Sequence, residues 1–167
     1  MIYFVTEKWI KENTPITDNV DMTDVMPWIK TAAELWIQPI LGMYFYNDLL
    51  TKYNAQTLST DEAALVAMIK PAIAWRATSD AVYGLSRQLK NKVIQSQSGD
   101  FSASVELDEV QFAMAHYRQK GEFYESLIVK YLKENKALFA NFTSDLNTDS
   151  IIKPQKGDNL GTSIILI

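Results

Sequence analysis

Apolar residues return every three or four positions along several stretches of this chain, and those stretches predict its elements. From Thr23, the residues Val25, Trp28, Ile29, Ala32, Leu35 and Trp36 fall on one face of a helix. Asp24 suits its cap, and Pro27 is tolerated in the first turn, where a missing N–H has no intrahelical partner. Pro39 and Gly42 then predict a tight corner. Tyr46, Leu49, Leu50 and Tyr53 predict a short second helix, followed by a polar loop around Asn54 to Ser59.

Ser59-Thr-Asp-Glu62 has the form of a capping box, which places the start of a long helix there. Leu65, Met68, Ala72, Trp75, Val82, Leu85 and Leu89 carry its stripe to about Lys90, with a kink at Pro71. The helical period is lost between Lys92 and Leu107. There Val93 to Gln97 and Phe101 to Val105 read as two short strands about a Ser98-Gly-Asp100 turn, a hairpin or loop inserted between helices. Asp108-Glu109 opens the last helix, whose stripe runs Val110, Met114, Tyr117, Gly121, Tyr124, Leu127, Ile128, Tyr131 and Leu138.

The ends read differently. Ile2 to Val5 is β-prone and leads through polar Glu12-Asn-Thr-Pro15, so the first fifteen residues are expected to form a strand or arm. From about Asn141 the chain is polar, broken by Pro154, Gly157 and Gly161, and finishes in the aliphatic run Ile164 to Ile167. The expected architecture is mainly α: a bundle of three to four helices over residues 1–145 with a hairpin or loop inserted at about 92–107, extended arms, and a tail over 146–167.

Composition narrows the function. With 167 residues, 47% hydrophobic and 22% charged, the chain can bury one core without staples. No cysteine is present, which removes disulfides, thiolate zinc sites and a cysteine nucleophile and suits a reducing compartment. No leader pattern or long apolar run predicts secretion or membrane spanning. A formal charge of −4 opposes general attraction to nucleic acid, though a local basic stripe remains compatible with it.

Candidate chemistry is sparse. His116 is the one histidine and has no recognisable ligand or triad partners; the nucleophile-elbow, phosphate-loop and dinucleotide-binding patterns are all missing. Asp61-Glu62 and Asp108-Glu109 resemble acid–base or magnesium pairs, yet both open predicted helices, where capping and the macrodipole explain them. No enzyme activity, cofactor or metal is expected. Trp28, Trp36, Trp75, Tyr117, Tyr124 and Tyr131 are placed by their spacing in a core or protomer contact rather than a base-stacking platform. Arg87, Lys90, Lys92, Lys130, Lys133 and Lys136 form the only basic concentrations, a solvated face or the lining of a channel that screens phosphates. Val93, Ile94, Phe101 and Val105 in the hairpin, and Ile164, Ile165, Leu166 and Ile167 in the tail, are the candidate contacts to other subunits; folding of the tail back on its own domain, beside Ile2 to Val5, is the equal alternative.

One ordered set of residues adds a resemblance. Ile16-Thr-Asp-Asn-Val-Asp21, Pro27-Trp-Ile, Ile37-Gln-Pro-Ile-Leu-Gly42 and Tyr44 to Leu50 resemble the small head-tail connector, or adaptor, proteins of tailed bacteriophages, across about residues 16–140. Phages of Bacteroides-like hosts, including crAss-like ones, carry ring proteins of similar outline. The resemblance implies a virion protein with no catalytic residue, made in the host cytoplasm. Its copies would form a closed, usually dodecameric ring beneath the portal protein, touching the next tail component and the passing genome without reading its sequence. A soluble helical regulator acting as monomer or dimer on another protein is the competing expectation.

Overall fold

The computed structural model describes residues 3–90, 93–96, 107–139 and 142. Its helices are α1 (Glu7–Asn13), α2 (Met22–Ala32), a π-helical turn (Ala33–Ile37), α3 (Gln38–Leu41), α4 (Met43–Ala55), α5 (Thr60–Ser86) and α6 (Leu107–Glu134), with a 3₁₀ turn at Lys136–Leu138. The protein is mainly helical. α5 is the axis of the fold, packed against both α2 and α6. Leu65, Val66, Ile69, Ala72, Ile73, Ala74, Ala77 and Ala81 are all buried, and so are Arg76, Thr78 and Ser79, because the middle of this helix is enclosed by its neighbours.

Each local boundary has a chemical cause. Asp21, not Asp24, caps α2 by accepting the Thr23 N–H at 2.9 Å, which puts Pro27 beyond the first turn. Pro39 does not end the helix either. Its ring would collide with the Leu35 carbonyl, and the chain answers by widening into the π turn, where Gln38 N–H reaches back to Ala33 O. The break comes at Gly42, whose φ of 77° and ψ of 149° lie in a region open essentially to glycine alone. Leu35, expected on the buried face, is 61% exposed, because the π turn rotates the stripe away from α5.

The capping box at the start of α5 is formed: Glu62 N–H donates to Ser59 Oγ at 3.2 Å and Ser59 N–H to Glu62 Oε2 at 2.8 Å. Lys52 Nζ, from α4, donates to Glu62 Oε1 at 2.7 Å and also pairs with Asp48 at 2.8 Å, tying the two helices together. Burial opposes ionisation of Glu62, but the Lys52 ammonium and the Ser59 N–H outweigh it and hold its carboxyl below the usual range. A depressed carboxylate stabilises the fold above its unfolded pKa of about 4.3, and that contribution is lost as pH falls through the lower folded value. Glu62→Gln should therefore lower stability at pH 7 and flatten its acid dependence below about pH 4.3. Urea titrations at stepped pH would test this, and an unchanged acid limb would refute it.

The ends depart from expectation. The polar stretch before Pro15 holds α1, capped by Thr6 and burying Ile10. Tyr3 to Thr6 do not form a strand, and Phe4 turns into the core at φ 61°. After α6 the chain folds back: Phe139 and Phe142 pack on Phe45 at ring separations of 5.5 and 6.0 Å, while Leu138 is half exposed. α5 stops at Ser86, short of Lys90. A short ladder then pairs β1 (Arg87–Lys90) with β2 (Val93–Ser96), Leu89 opposite Ile94. The expected hairpin, with Val93 to Gln97 as its first strand and Phe101 to Val105 as its second, is not supported. Val93 to Ser96 instead pair backward, and 97–106 lie outside the described residues.

Candidate assembly surface

The α5–α6 pairing is antiparallel, since Ser79 Oγ donates to Met114 O at 2.9 Å while Arg76, one turn earlier on α5, meets Glu125, three turns later on α6. Arg76 is the joint of the fold. Its guanidinium donates to Glu125 through Nε at 2.6 Å and Nη2 at 2.8 Å, a bidentate pair. Its flat face lies 3.8 Å from the centre of the Trp36 ring, in the π turn, and its stem passes over Gly121. A Cβ at Gly121 would come within 2.9 Å of Arg76 Cγ, so this glycine is the space through which the arginine crosses. Gly84 does the same for Trp28, whose ring would lie 2.6 Å from an added Cβ. One buried charge thus fixes three elements in register.

Around this frame no reactive constellation is assembled. Among the described residues no group of three or more His, Cys, Asp or Glu could hold a metal. Asp61 and Glu62 are spent on opening α5, and His116 is exposed, its ring 5.8 Å from Tyr117. Tyr46 has a buried hydroxyl without a partner, and burial, helped by Glu34 and Tyr3, pushes its pKa to about 12. Burial likewise raises the Asp80 carboxyl against the pull of Arg118 and Arg76. The open depression beside α1, about 540 Å³, is lined by Thr6, Glu7, Lys8, Lys11, Glu12 and Asp18, and Lys11 is already paired with Glu7 at 2.7 Å.

The six tryptophans and tyrosines of the predicted stripes are engaged within the chain. Trp75 and Tyr117 stack at 5.6 Å, with Lys120 Nζ 4.1 Å from the Trp75 ring centre, so a cation of the same chain already occupies that face. Trp28, Trp36, Tyr124 and Tyr131 pack against the core.

The basic residues are not brought together. Arg87 and Lys90 follow the C-terminal end of α5, whereas Lys130 and Lys133 lie near the C-terminal end of α6 and Lys136 just beyond it. Antiparallel packing sends these groups to opposite ends of the helix pair, on the order of 30 Å apart along its axis. Lys130, Lys133 and Lys136 are exposed, and Lys130 lies 3.9 Å from Glu134. Lys92 lies outside the described residues, as do Phe101, Val105 and Ile164, Ile165, Leu166 and Ile167; Val93 and Ile94 sit in β2.

What the structure does expose is apolar surface that sequence reading missed or assigned elsewhere. Phe112 is 77% and Phe123 58% exposed on α6; Leu35 is 61%, Met43 64% and Tyr44 89% exposed around the Gly42 corner. Phe112 and Phe123 are eleven residues apart, almost three full turns, and lie on the face of α6 opposite Ile128 and Leu132, which are buried. The signal was present: both phenylalanines fall outside the buried stripe of α6.

These features define a helical domain that exposes several large apolar side chains. The chain belongs to a family of unknown function, DUF6712, whose model matches residues 37–151 and so covers the Gly42 corner, α4, α5 and α6. No curated protein matches the chain, and no solved structure does.

Proposed function

We propose that this protein is a structural subunit of a tailed bacteriophage, a head-tail connector or adaptor that forms a ring below the portal through which DNA passes. The observation that carries the reading is the pair of exposed apolar groups, Phe112 with Phe123 and Leu35 with Met43 and Tyr44, on a rigid helical frame. Large apolar side chains left exposed on a packed helical frame support contact with another protein there. The order of the Ile37-to-Gly42 corner, the short helix α4 and two long helices joined by an inserted segment agrees with the connector resemblance. In this reading the long helices α5 and α6 form the wall of the ring.

The test is the mass in solution by light scattering, of the purified protein alone and mixed with the portal protein encoded nearest to it. A large closed oligomer in either sample is the expected result. A monomer in both would overturn the ring and favour the regulator.

A further inference from the structure

We infer that the N-terminal segment, residues 3–16, is a detachable strap, and that the groove it fills against α4 accepts the same segment from a second copy. Such an exchange rests on the ring reading and supplies the piece of chain that ties one copy to the next. The strap is self-contained in its polar chemistry. Thr6 Oγ1 accepts from the Trp9 N–H at 3.3 Å, and Lys11 donates to Glu7 at 2.7 Å, Asn13 to Trp9 O at 2.8 Å and Thr14 to Ile10 O at 2.8 Å. Among the described residues, every hydrogen bond and ion pair made by residues 3–16 closes within 6–18. What holds the strap to the body is apolar. Phe4, Val5, Ile10 and Ile16 are buried, Tyr3 and Trp9 pack against the same core, and the Phe4 ring sits 5.6 Å from both Tyr46 and Tyr53 of α4.

The second copy is singled out because its groove is identical. Exchanging the same element between copies is a low-cost route to assembly, since the contacts are those already made within one chain and only the connector changes. The connector here is lightly held. Residues 17–19 are exposed, and their turn is closed by one backbone bond, Val20 N–H to Thr17 O at 3.1 Å, and by the 3.5 Å approach of Lys11 to Asp18. The Asp18 side chain is 93% exposed, so that ion pair is a weak tie. Straightened, residues 17–21 span about 17 Å before α2 begins. Release also frees Phe4 from its positive φ of 61°, a conformation that a residue with a Cβ holds only under constraint. In an isolated chain the tethered groove wins, because the strap meets it at a higher effective concentration than any other. Within an assembly that fixes copies side by side, a neighbour's groove competes on comparable terms, and the exchanged strap then links the two chains.

The test replaces Tyr3, partly buried in the strap, with p-azidophenylalanine, which is close to it in size and cross-links on irradiation to whatever groove it occupies. The full chain is irradiated under the conditions of whichever light-scattering sample assembles, and again when diluted to the monomer. A strap in its own groove leaves a monomer mass on a denaturing gel; an exchanged strap gives a dimer mass or higher, and peptide mapping identifies the linked residues. Links between chains, from position 3 to the residues it meets within one chain, should be several-fold more abundant in the assembled sample. Deleting Asp18 and Asn19 shortens the connector and should raise their share several-fold again, with circular dichroism confirming that the variant remains helical. A shortened connector that leaves the share unchanged would count against the exchange. Assembly with cross-links confined to single chains would overturn the exchange and leave the ring standing; a monomer in every sample, with internal cross-links alone, would overturn both.

Discussion

Replacing Arg76 with Ala should cost about 3–5 kcal/mol of folding stability, the penalty for leaving a buried carboxylate without its partner. Arg76 is 5% exposed and holds Glu125 through two charge-assisted bonds, while its guanidinium also supports Trp36. Truncation would leave Glu125, itself mostly covered, facing apolar neighbours and a void above Gly121. Replacing both partners with Met removes the uncompensated charge and fills much of the space, so Arg76→Met with Glu125→Met should recover most of the loss. Urea unfolding of the two single variants and the double variant measures this. A loss below about 1 kcal/mol for Arg76→Ala would mean that the pair contributes no more than an exposed ion pair.

Phe4→Ala should cost a similar amount, about 3–5 kcal/mol, by a different route. Phe4 is fully buried, with its ring 5.6 Å from both Tyr46 and Tyr53 of α4. It holds the N-terminal segment against the core despite a positive φ that a residue with a Cβ adopts only under constraint. Loss of the ring opens a cavity and frees α1, a seven-residue helix too short to persist without tertiary support. Amide exchange at Ile10 and Thr14, which bond along and at the end of α1, should accelerate before any amide of α5. If both regions accelerate together, the arm is part of the global unfolding unit and the local reading fails. Phe4→Leu, which keeps most of the apolar volume, should lose less than half as much.

Much of the frame was legible because its signals are local. The Ser59–Glu62 box and the Gly42 corner depend on hydroxyls, carboxylates and a glycine within a few residues, and each forms where the pattern places it; the apolar stripes locate α5 and α6 but overrun their ends. The misreadings share another cause. The face of α1 toward the core is little more than Ile10 and Trp9, too few residues to show a period. A regular 3.6-residue helix puts Leu35 on the buried face, whereas the π turn that relieves the Pro39 clash adds a residue and rotates it. Spacing along the chain says nothing of helix direction, and antiparallel packing sends the two basic groups to opposite ends.

By itself, the sequence determined a mainly helical chain, the start of α5 and the Gly42 corner, since these follow from backbone hydrogen-bond demands met by nearby side chains. Only the tertiary structure decided that Arg76 would be enclosed, because its partners Trp36, Gly121 and Glu125 come from the π turn and the far helix. It alone decided which apolar residues stay outside as well. Burial depends on what packs over a face, and the described residues leave Phe112, Phe123, Leu35, Met43 and Tyr44 largely uncovered.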